Sequence, residues 1–167
     1  MSYESVLTSL TKERTRYLVV GGVAVLYHGY QRFTADLDIV PDLERDNLEK
    51  IINVMRMNGY VPRVSVAPTA LLDPNQRKEW REEKGMKVFT YLHPQEPLQD
   101  VDFLIFNPLP FHEAFERRKE VLVSGIPVYI ASLDDILYMK RQAGIAKDLY
   151  DIKILEEIKE QKEDEPK

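Results

Sequence analysis

Two aspartates, Asp36 and Asp38, stand two positions apart in a short apolar stretch. If this stretch is a strand, residues two apart project from one face, so the two carboxylates lie side by side. Carboxylates are hard oxygen ligands of the kind that Mg²⁺ prefers, and Mg²⁺ keeps its remaining positions for water and substrate phosphates. The pair therefore indicates a magnesium site acting on phosphates, although such a pair at a strand end also occurs on solvated surfaces.

Gly21 and Gly22 directly follow an apolar run, Tyr17–Val20, that predicts a buried strand leading into a tight turn. Glycines let the backbone approach a ligand closely, and the helix predicted after them offers free N–H groups to an anion such as phosphate. Taken alone, two glycines after a strand are most often only a turn. With 13 residues between Gly22 and Asp36, the two features together predict the glycine-lined phosphate site and carboxylate-held Mg²⁺ that phosphoryl or nucleotidyl transfer requires.

Composition limits the other kinds of chemistry. The chain has 167 residues with no cysteine and 3 histidines, so thiolate metal sites, disulfides and cysteine nucleophiles are excluded. Its 23 basic and 28 acidic residues give a net charge of −5, which argues against an extended basic surface for nucleic acid. No apolar stretch is long enough to cross a membrane, and the charged N-terminus is unlike a signal peptide. We therefore expect a cytoplasmic protein with no membrane partner.

The elements that must position these residues follow from the hydrophobic periodicity, which predicts an α+β domain of about five to seven strands ending in a helical pair. Strands are predicted at 36–40, 61–66, 86–92 and 98–106, and helices at 43–57 and 147–159. Ser132 begins another helix with a capping box. We expect a core at 1–131, a helical segment at 132–160 packed on it, and a frayed charged tail at 161–167.

The glycine and aspartate motifs, taken together, resemble the signature of polymerase-β-type nucleotidyltransferases. The matching residues are Leu18-Val19-Val20-Gly21-Gly22 and, after the spacer, Asp36-Leu37-Asp38-Ile39. Further residues resemble the AbiEii/MNT-like branch, which is associated with bacterial toxin–antitoxin systems. These are Val23-Ala24, His28-Gly29, Arg32, Thr34, Lys140 and Lys147-Asp148-Leu149-x-Asp151-Ile152. The resemblance spans residues 17–155 and implies a nucleotidyltransferase-type mixed β-sheet flanked by helices, with a C-terminal helical pair.

The family resemblance also implies a third carboxylate between two apolar residues of a later strand. Val101-Asp102-Phe103 matches that pattern, which favours Asp102. Asp100 lies two residues earlier, so it shares a strand face with Asp102 and is the competing candidate. Both aspartates could also simply mark the exposed face of an antiparallel strand.

The same resemblance implies roles for these carboxylates. Asp36 and Asp38 would hold a pair of Mg²⁺ ions, with Mn²⁺ as an alternative metal. Asp102 would help to hold the catalytic ion and would act as the base toward the acceptor hydroxyl. These three residues are therefore the predicted catalytic and metal-binding set.

Four further residues are implied to bind the nucleotide. Gly21 and Gly22 would bind the triphosphate of an NTP substrate, and Arg32 could contact phosphate bidentately. Arg32 could equally pair with Asp36 or Asp38 in the absence of metal. Lys140 could point at the triphosphate, or it could be an ordinary solvated charge.

The resulting hypothesis is an Mg²⁺-dependent nucleotidyltransferase that moves NMP from an NTP to a hydroxyl acceptor with release of pyrophosphate. For the toxin-like branch the resemblance implies an RNA end or a protein side chain as acceptor, and an antitoxin as a candidate partner. The first alternative is a catalytically inactive nucleotide-binding or regulatory module with the same fold. A metal-stabilised scaffold or antitoxin-like interaction protein is the second.

Overall fold

The computed structural model describes residues 3–166, which form seven α-helices and seven strands. The helices are α1 (Glu4–Lys12), α2 (Gly21–Tyr27), α3 (Arg45–Met57), α4 (Pro74–Lys84), α5 (Phe111–Glu116), α6 (Leu133–Ala143) and α7 (Asp148–Asp164). The strands are β1 (Tyr17–Val20), β2 (Leu37–Pro41), β3 (Val61–Pro62), β4 (Val88–Leu92), β5 (Val101–Leu104), β6 (Lys119–Val123) and β7 (Ile126–Ile130). A 3₁₀ helix, Pro68–Leu72, precedes α4.

All seven strands of the described chain form one mixed sheet, in the order β3-β4-β5-β2-β1-β7-β6. The β2/β5 and β1/β7 pairs are parallel and the other pairs are antiparallel. The predicted α+β class with a mixed sheet and a C-terminal helical pair is therefore confirmed. β1 and β2 lie side by side in the middle of the sheet. The glycine motif directly follows β1, and the second aspartate of the Asp36-x-Asp38 motif lies on β2.

Burial of the central strands follows their sequence patterns. Every residue of Tyr17–Val20 is buried, as its uninterrupted apolar run predicts. In β2, Leu37 and Ile39 are fully buried on one face while Asp38 between them is only partly buried on the other. The core face thus fixes which way Asp38 points, because a shift of register by one residue would bury the carboxylate instead.

Several elements differ in length from their predicted bounds; β5, predicted at 98–106, is limited to Val101–Leu104. The strand predicted at 61–66 is limited to Val61–Pro62. Strand β2 begins at Leu37, which leaves Asp36 just outside it. Helix α7 continues to Asp164, so most of the segment predicted as a frayed tail is helical. Its Glu, Lys and Gln residues are strong helix formers that need no burial.

The helix ends in the C-terminal part carry the expected caps. Ser132 accepts a hydrogen bond from the backbone N–H of Asp135 at 3.2 Å, which confirms Ser132 as the N-cap of α6. Gly144 ends α6 in the left-handed region (φ +61°). The turn between α6 and α7 is therefore tight, and it brings the start of α7 back against α6, where Asp148 pairs with Lys140. Within residues 3–166, no helix has the length and apolarity needed to cross a membrane.

Candidate functional site

Asp38 and Asp102 are neighbours in the sheet. The parallel register of β2 and β5 pairs Asp38 with Asp102, the antiparallel register of β4 and β5 pairs Asp102 with Thr90, and Val20 lies opposite Asp38 on β1. Directly paired residues project from the same face, so these side chains form one row across four strands. The row brings together two of the three predicted carboxylates.

The charges in this row are poorly compensated. Burial, together with repulsion from Asp102 and then from Asp36, raises the pKa of Asp38 to about 7, while Lys140 and Lys147 oppose the shift. Burial also raises the pKa of Asp102. Because each nearby carboxylate disfavours ionisation of the other, the site has a deficit of positive charge. We call Asp36, Asp38 and Asp102 the carboxylate site.

Asp36 and Asp100 occupy different positions around this row. Asp36 precedes β2 and its side chain is exposed. Asp100 precedes β5, forms an ion pair with Arg63, and accepts a hydrogen bond from the N–H of Leu37 through its backbone oxygen at 3.0 Å. Of the two candidates for the third carboxylate, Asp102 is therefore the one that lies beside Asp38, and Asp100 is held by a cation.

Gly21 and Gly22 permit two close approaches at the start of α2. Gly21 has φ +63°, and a Cβ at this position would lie 2.2 Å from Oδ2 of Asp38. A Cβ on Gly22 would lie 2.5 Å from Oγ1 and 2.8 Å from Cβ of Thr34. The first glycine thus packs against the carboxylate site, and the second packs against the loop that leads to Asp36. Glycine permits both contacts because it has no Cβ.

The two predicted phosphate-binding cations meet instead in an ion-pair network with the start of α7. Nζ of Lys140 donates to Oδ1 of Asp148 at 2.9 Å and to Oδ2 of Asp151 at 3.1 Å. Nη1 of Arg32 donates to the same Oδ2 of Asp151. We call Arg32, Lys140, Asp148 and Asp151 the α7 network. Arg32 does not pair with Asp36 or Asp38, and Lys140 is buried rather than solvated.

Sequence reasoning missed two side chains that position the carboxylate site. Oγ1 of Thr90 donates to Oδ1 of Asp102 at 2.5 Å, and this hydrogen bond opposes the rise in the pKa of Asp102. The hydroxyl of Tyr3 donates to the backbone oxygen of Ala35 and lies 3.1 Å from that of Asp100. Tyr3 therefore ties together the segments that precede β2 and β5. Thr90 interrupts the otherwise apolar and aromatic run of β4, which could have identified it, whereas no local pattern identifies Tyr3.

The donor set of the carboxylate site fits Mg²⁺ in its chemistry. It consists of hard carboxylate oxygens, and the pKa of Asp38 rises because negative charges face one another without a cation between them. Within residues 3–166, no three acidic, histidine or cysteine side chains lie in an arrangement that could hold a metal ion as they stand. Metal binding would therefore have to draw these carboxylates together.

Two surface clefts, of about 360 and 480 Å³, lie at the other end of β2. The smaller includes Arg16 and the larger includes Asp42, and these two residues form an ion pair at 2.5 Å. Neither cleft is lined by a residue of the carboxylate site or of the α7 network. The candidate site is marked by its charges and close backbone approaches.

Comparison with solved structures identifies the fold. A lincomycin-bound lincosamide antibiotic adenylyltransferase, LnuA, matches with a TM-score of 0.56 and 18% identity over 89% of this chain and 90% of that chain. ANT(2")-Ia in complex with adenylyl-2"-tobramycin matches with a TM-score of 0.57 and 12% identity over 95% and 91% of the two chains. An antigenic nucleotidyltransferase-like protein from Paracoccidioides brasiliensis matches with a TM-score of 0.57 and 18% identity over 93% and 74%.

No family model matches the chain, and no curated protein matches its sequence. At identities of 12–18%, these structural likenesses establish the fold alone. The sheet, its flanking helices and the helical pair are therefore those of a nucleotidyltransferase fold.

Proposed function

We propose that this chain is a Mg²⁺-dependent nucleotidyltransferase that transfers NMP from an NTP to a hydroxyl acceptor. The observation that carries the proposal is the row in which Asp38 and Asp102 lie side by side beneath Gly21 with too little positive charge near them. Such an arrangement destabilises the folded protein unless a cation enters, which favours a binding role. The structural neighbours with adenylyltransferase activity support the same reaction class.

The three carboxylates bind the metal and activate the acceptor. Asp36, Asp38 and Asp102 hold the metal, with Mn²⁺ able to replace Mg²⁺. When bound, Mg²⁺ supplies neutralisation of charge on the phosphoryl group and the departing pyrophosphate. Asp102, oriented by Thr90, accepts the proton of the acceptor hydroxyl.

The glycines and the arginine act on the phosphates. Gly21 and Gly22 let the start of α2 pack closely against Asp38 and the loop that leads to Asp36, and the backbone there binds the triphosphate. Arg32 has further guanidinium N–H groups beyond the one that it gives to Asp151, and these can contact a phosphate oxygen. Attack by the acceptor oxygen on the α-phosphorus then releases pyrophosphate on the opposite side.

The acceptor is the least constrained part of the proposal. The AbiEii/MNT-like resemblance favours an RNA end or a protein side chain in the cytoplasm, together with an antitoxin partner. Two structural neighbours add hydroxyl-bearing antibiotics as a third acceptor class, since one is lincomycin-bound and the other carries adenylyl-2"-tobramycin. All three acceptor classes present a hydroxyl to the same carboxylate site.

The experiment is transfer of label from each of the four α-³²P-labelled NTPs in the presence of Mg²⁺. Total RNA, total protein, lincomycin and tobramycin serve as separate acceptors. We expect label on one acceptor class, and no transfer by Asp36→Asn at unchanged melting temperature. Absence of label with every NTP and acceptor, together with absence of Mg²⁺-dependent NTP binding, would overturn the proposal. Binding without any transfer would instead favour the catalytically inactive nucleotide-binding module.

A further inference from the structure

Arg77 is buried without an opposite charge beside it. It lies in the first half of α4 and is 8% exposed. Among the described residues, its guanidinium has a single hydrogen-bond acceptor, the backbone oxygen of Leu71, to which Nη1 donates. In the same part of the chain, every other buried aspartate, glutamate, lysine or arginine has an ion-pair partner; these residues are Asp42, Asp135, Lys140, Asp148 and Asp151. Burial of an unpaired charge disfavours the folded state, so Arg77 lacks the anion that its position calls for.

The acidic residues around Arg77 do not supply that anion. Asp73 is the residue whose negative charge acts on Arg77, but its side chain accepts a hydrogen bond from the first turn of α4 at 2.8 Å. Asp42 is paired with Arg16 at 2.5 Å, and Glu44 is exposed. Across residues 3–166, no carboxylate lies within ion-pair distance of Arg77. The remaining guanidinium N–H groups are therefore free to bind a ligand.

Arg77 lines the larger of the two surface clefts, which has a volume of about 480 Å³. Sites for small molecules in proteins commonly have volumes of about 300–1,000 Å³ and combine apolar walls with a few polar groups. This cleft has both kinds of wall: apolar side chains from Leu43, Leu72 and Phe111, and polar ones from Asn107 and His112. Its size and composition suit a small molecule that carries an anionic group on an apolar body.

The first turn of α3 also favours an anion in this cleft. Glu44 and Arg45, at the start of this 13-residue helix, line the cleft, and the side chain of Glu44 makes no capping hydrogen bond. The N-terminus of a helix carries partial positive charge on its free N–H groups. Asp46, the acidic residue of that first turn, lines the smaller cleft instead. The buried guanidinium and the helix end thus favour the same sign of charge.

We propose that the cleft beside Arg77 is a binding site for a small organic anion. Nη1 keeps its contact with Leu71, while Nε and Nη2 donate to two oxygens of a carboxylate or phosphate group. The apolar walls contact the rest of the molecule. The cleft lies at the opposite end of β2 from Asp38 and shares no lining residue with the carboxylate site. This inference therefore goes beyond nucleotidyl transfer and does not depend on it.

The test is a titration of the ¹⁵N-labelled full chain, without added metal, observed by NMR. Phenyl phosphate and benzoate are the two organic anions. We expect one or both to shift the Nε–H signal of Arg77 and the backbone N–H signals of Leu43 and Phe111 in a saturable way. Inorganic phosphate should bind at least about tenfold more weakly, because it has no apolar part to bury. Benzyl alcohol, which has no charge, should give no saturable shift.

Three variants locate the binding. Arg77→Met should weaken binding by about tenfold or more, at an unchanged or raised melting temperature, since an unpaired buried charge is removed. Arg81→Met is the matched control and should bind like the wild-type protein, because Arg81 lies one turn later on α4 and its guanidinium stacks on Phe106 outside the cleft. Leu72→Trp narrows the cleft and keeps Arg77, so it should also weaken binding, and it tests the site if Arg77→Met does not fold.

Four results would overturn the inference. The first is the absence of saturable shifts at Arg77 with both organic anions, and the second is wild-type affinity in Arg77→Met or Leu72→Trp. The third is an equal loss of affinity in Arg81→Met. The fourth is equal affinity for inorganic phosphate, which would show that the apolar walls contribute nothing. Binding of phenyl phosphate alone, or of benzoate alone, supports the inference and identifies which anionic group the site prefers.

Discussion

The carboxylate site, at Asp38 and Asp102, and the α7 network both place acidic side chains in partly or fully buried positions, yet they balance charge in opposite ways. In the α7 network two carboxylates face two cations, and the acidic side chains are almost completely buried. At the carboxylate site Asp38 and Asp102 face each other, and the pKa of Asp38 rises to about 7. The two regions are close enough that Lys140 acts electrostatically on Asp38.

The difference between the two regions separates a structural use of charge from a binding use. A balanced buried pair holds its elements in register and resists removal of either partner. An unbalanced group of carboxylates weakens the folded state and gains stability only when a cation arrives. Substitutions in the two regions should therefore have opposite consequences for stability and activity.

The largest effect is expected for Asp38→Asn. The variant should lose about a thousandfold in nucleotidyl transfer, because a ligand of the metal that stabilises the transition state is removed. Its melting temperature should remain the same or rise, since repulsion with Asp102 is relieved. Labelled-NTP transfer and thermal unfolding measure the two effects. A variant that transfers label normally would remove Asp38 from the reaction.

The converse effect is expected for Lys140→Met. The variant should lose about 3–5 kcal/mol of unfolding free energy, because Asp148 remains buried without its partner. Arg141→Ala is the matched control, since it removes an exposed ion pair with Glu156 between the same two helices. That control should cost less than about 1 kcal/mol. Urea unfolding measures both variants. Equal losses of unfolding free energy would show that burial of the α7 network does not add to the stability of the protein.

The pH dependence of stability should reveal the unbalanced charge. The folded pKa of Asp38 is about 7 against an ordinary value of 3.8, so the folded state binds the proton more tightly than the unfolded state. Stability contributed by this group is therefore present below about pH 4 and is lost as the pH rises toward 7. Relative to Asp38→Asn, the wild-type protein should lose about 2 kcal/mol over this range after allowance for solvent screening.

Urea unfolding at a series of pH values measures that difference between the two proteins. Added Mg²⁺ should reduce it in the wild-type protein, because the cation offsets the repulsion that disfavours ionised Asp38. Parallel pH profiles for the wild-type protein and Asp38→Asn would contradict the account of Asp38.

A smaller effect is expected from a Cβ at the carboxylate site. Gly21→Ala and Gly85→Ala both place alanine at a positive φ, +63° and +62°. Only the Gly21 position has a close neighbour, Asp38, whereas nothing lies within 4 Å of a Cβ at Gly85. Both variants should lose about 1 kcal/mol from backbone strain. Gly21→Ala alone should also weaken binding of NTP with Mg²⁺, as calorimetry would show; unchanged binding would argue against Gly21 as part of the site.

Much of the fold and part of the candidate site could be predicted from the sequence because both rest on local patterns. The apolar run Tyr17–Val20 and the alternation around Asp38 specify two central strands and the face on which the carboxylate lies. The placement of Asp102 beside Asp38 needed the family resemblance, since no local pattern sets the register between two strand residues that are 64 positions apart in the chain.

The α7 network could not be predicted in the same way. Arg32 and Asp151 are 119 residues apart, and either could have paired with several other charged residues. Which cation remains available for a ligand depends on which ones the tertiary structure has already neutralised.

The most direct test of the central claim is the location of Mn²⁺ by anomalous scattering in crystals grown with an α,β-methylene NTP. The account predicts manganese bound by Asp38 and Asp102, with the triphosphate beside Gly21. It also predicts that Asp148 and Asp151 remain paired with Lys140 and Arg32. Manganese bound at Asp148 and Asp151, or a nucleotide bound with no metal at Asp38, would contradict the assignment of the carboxylate site as the place where nucleotidyl transfer occurs.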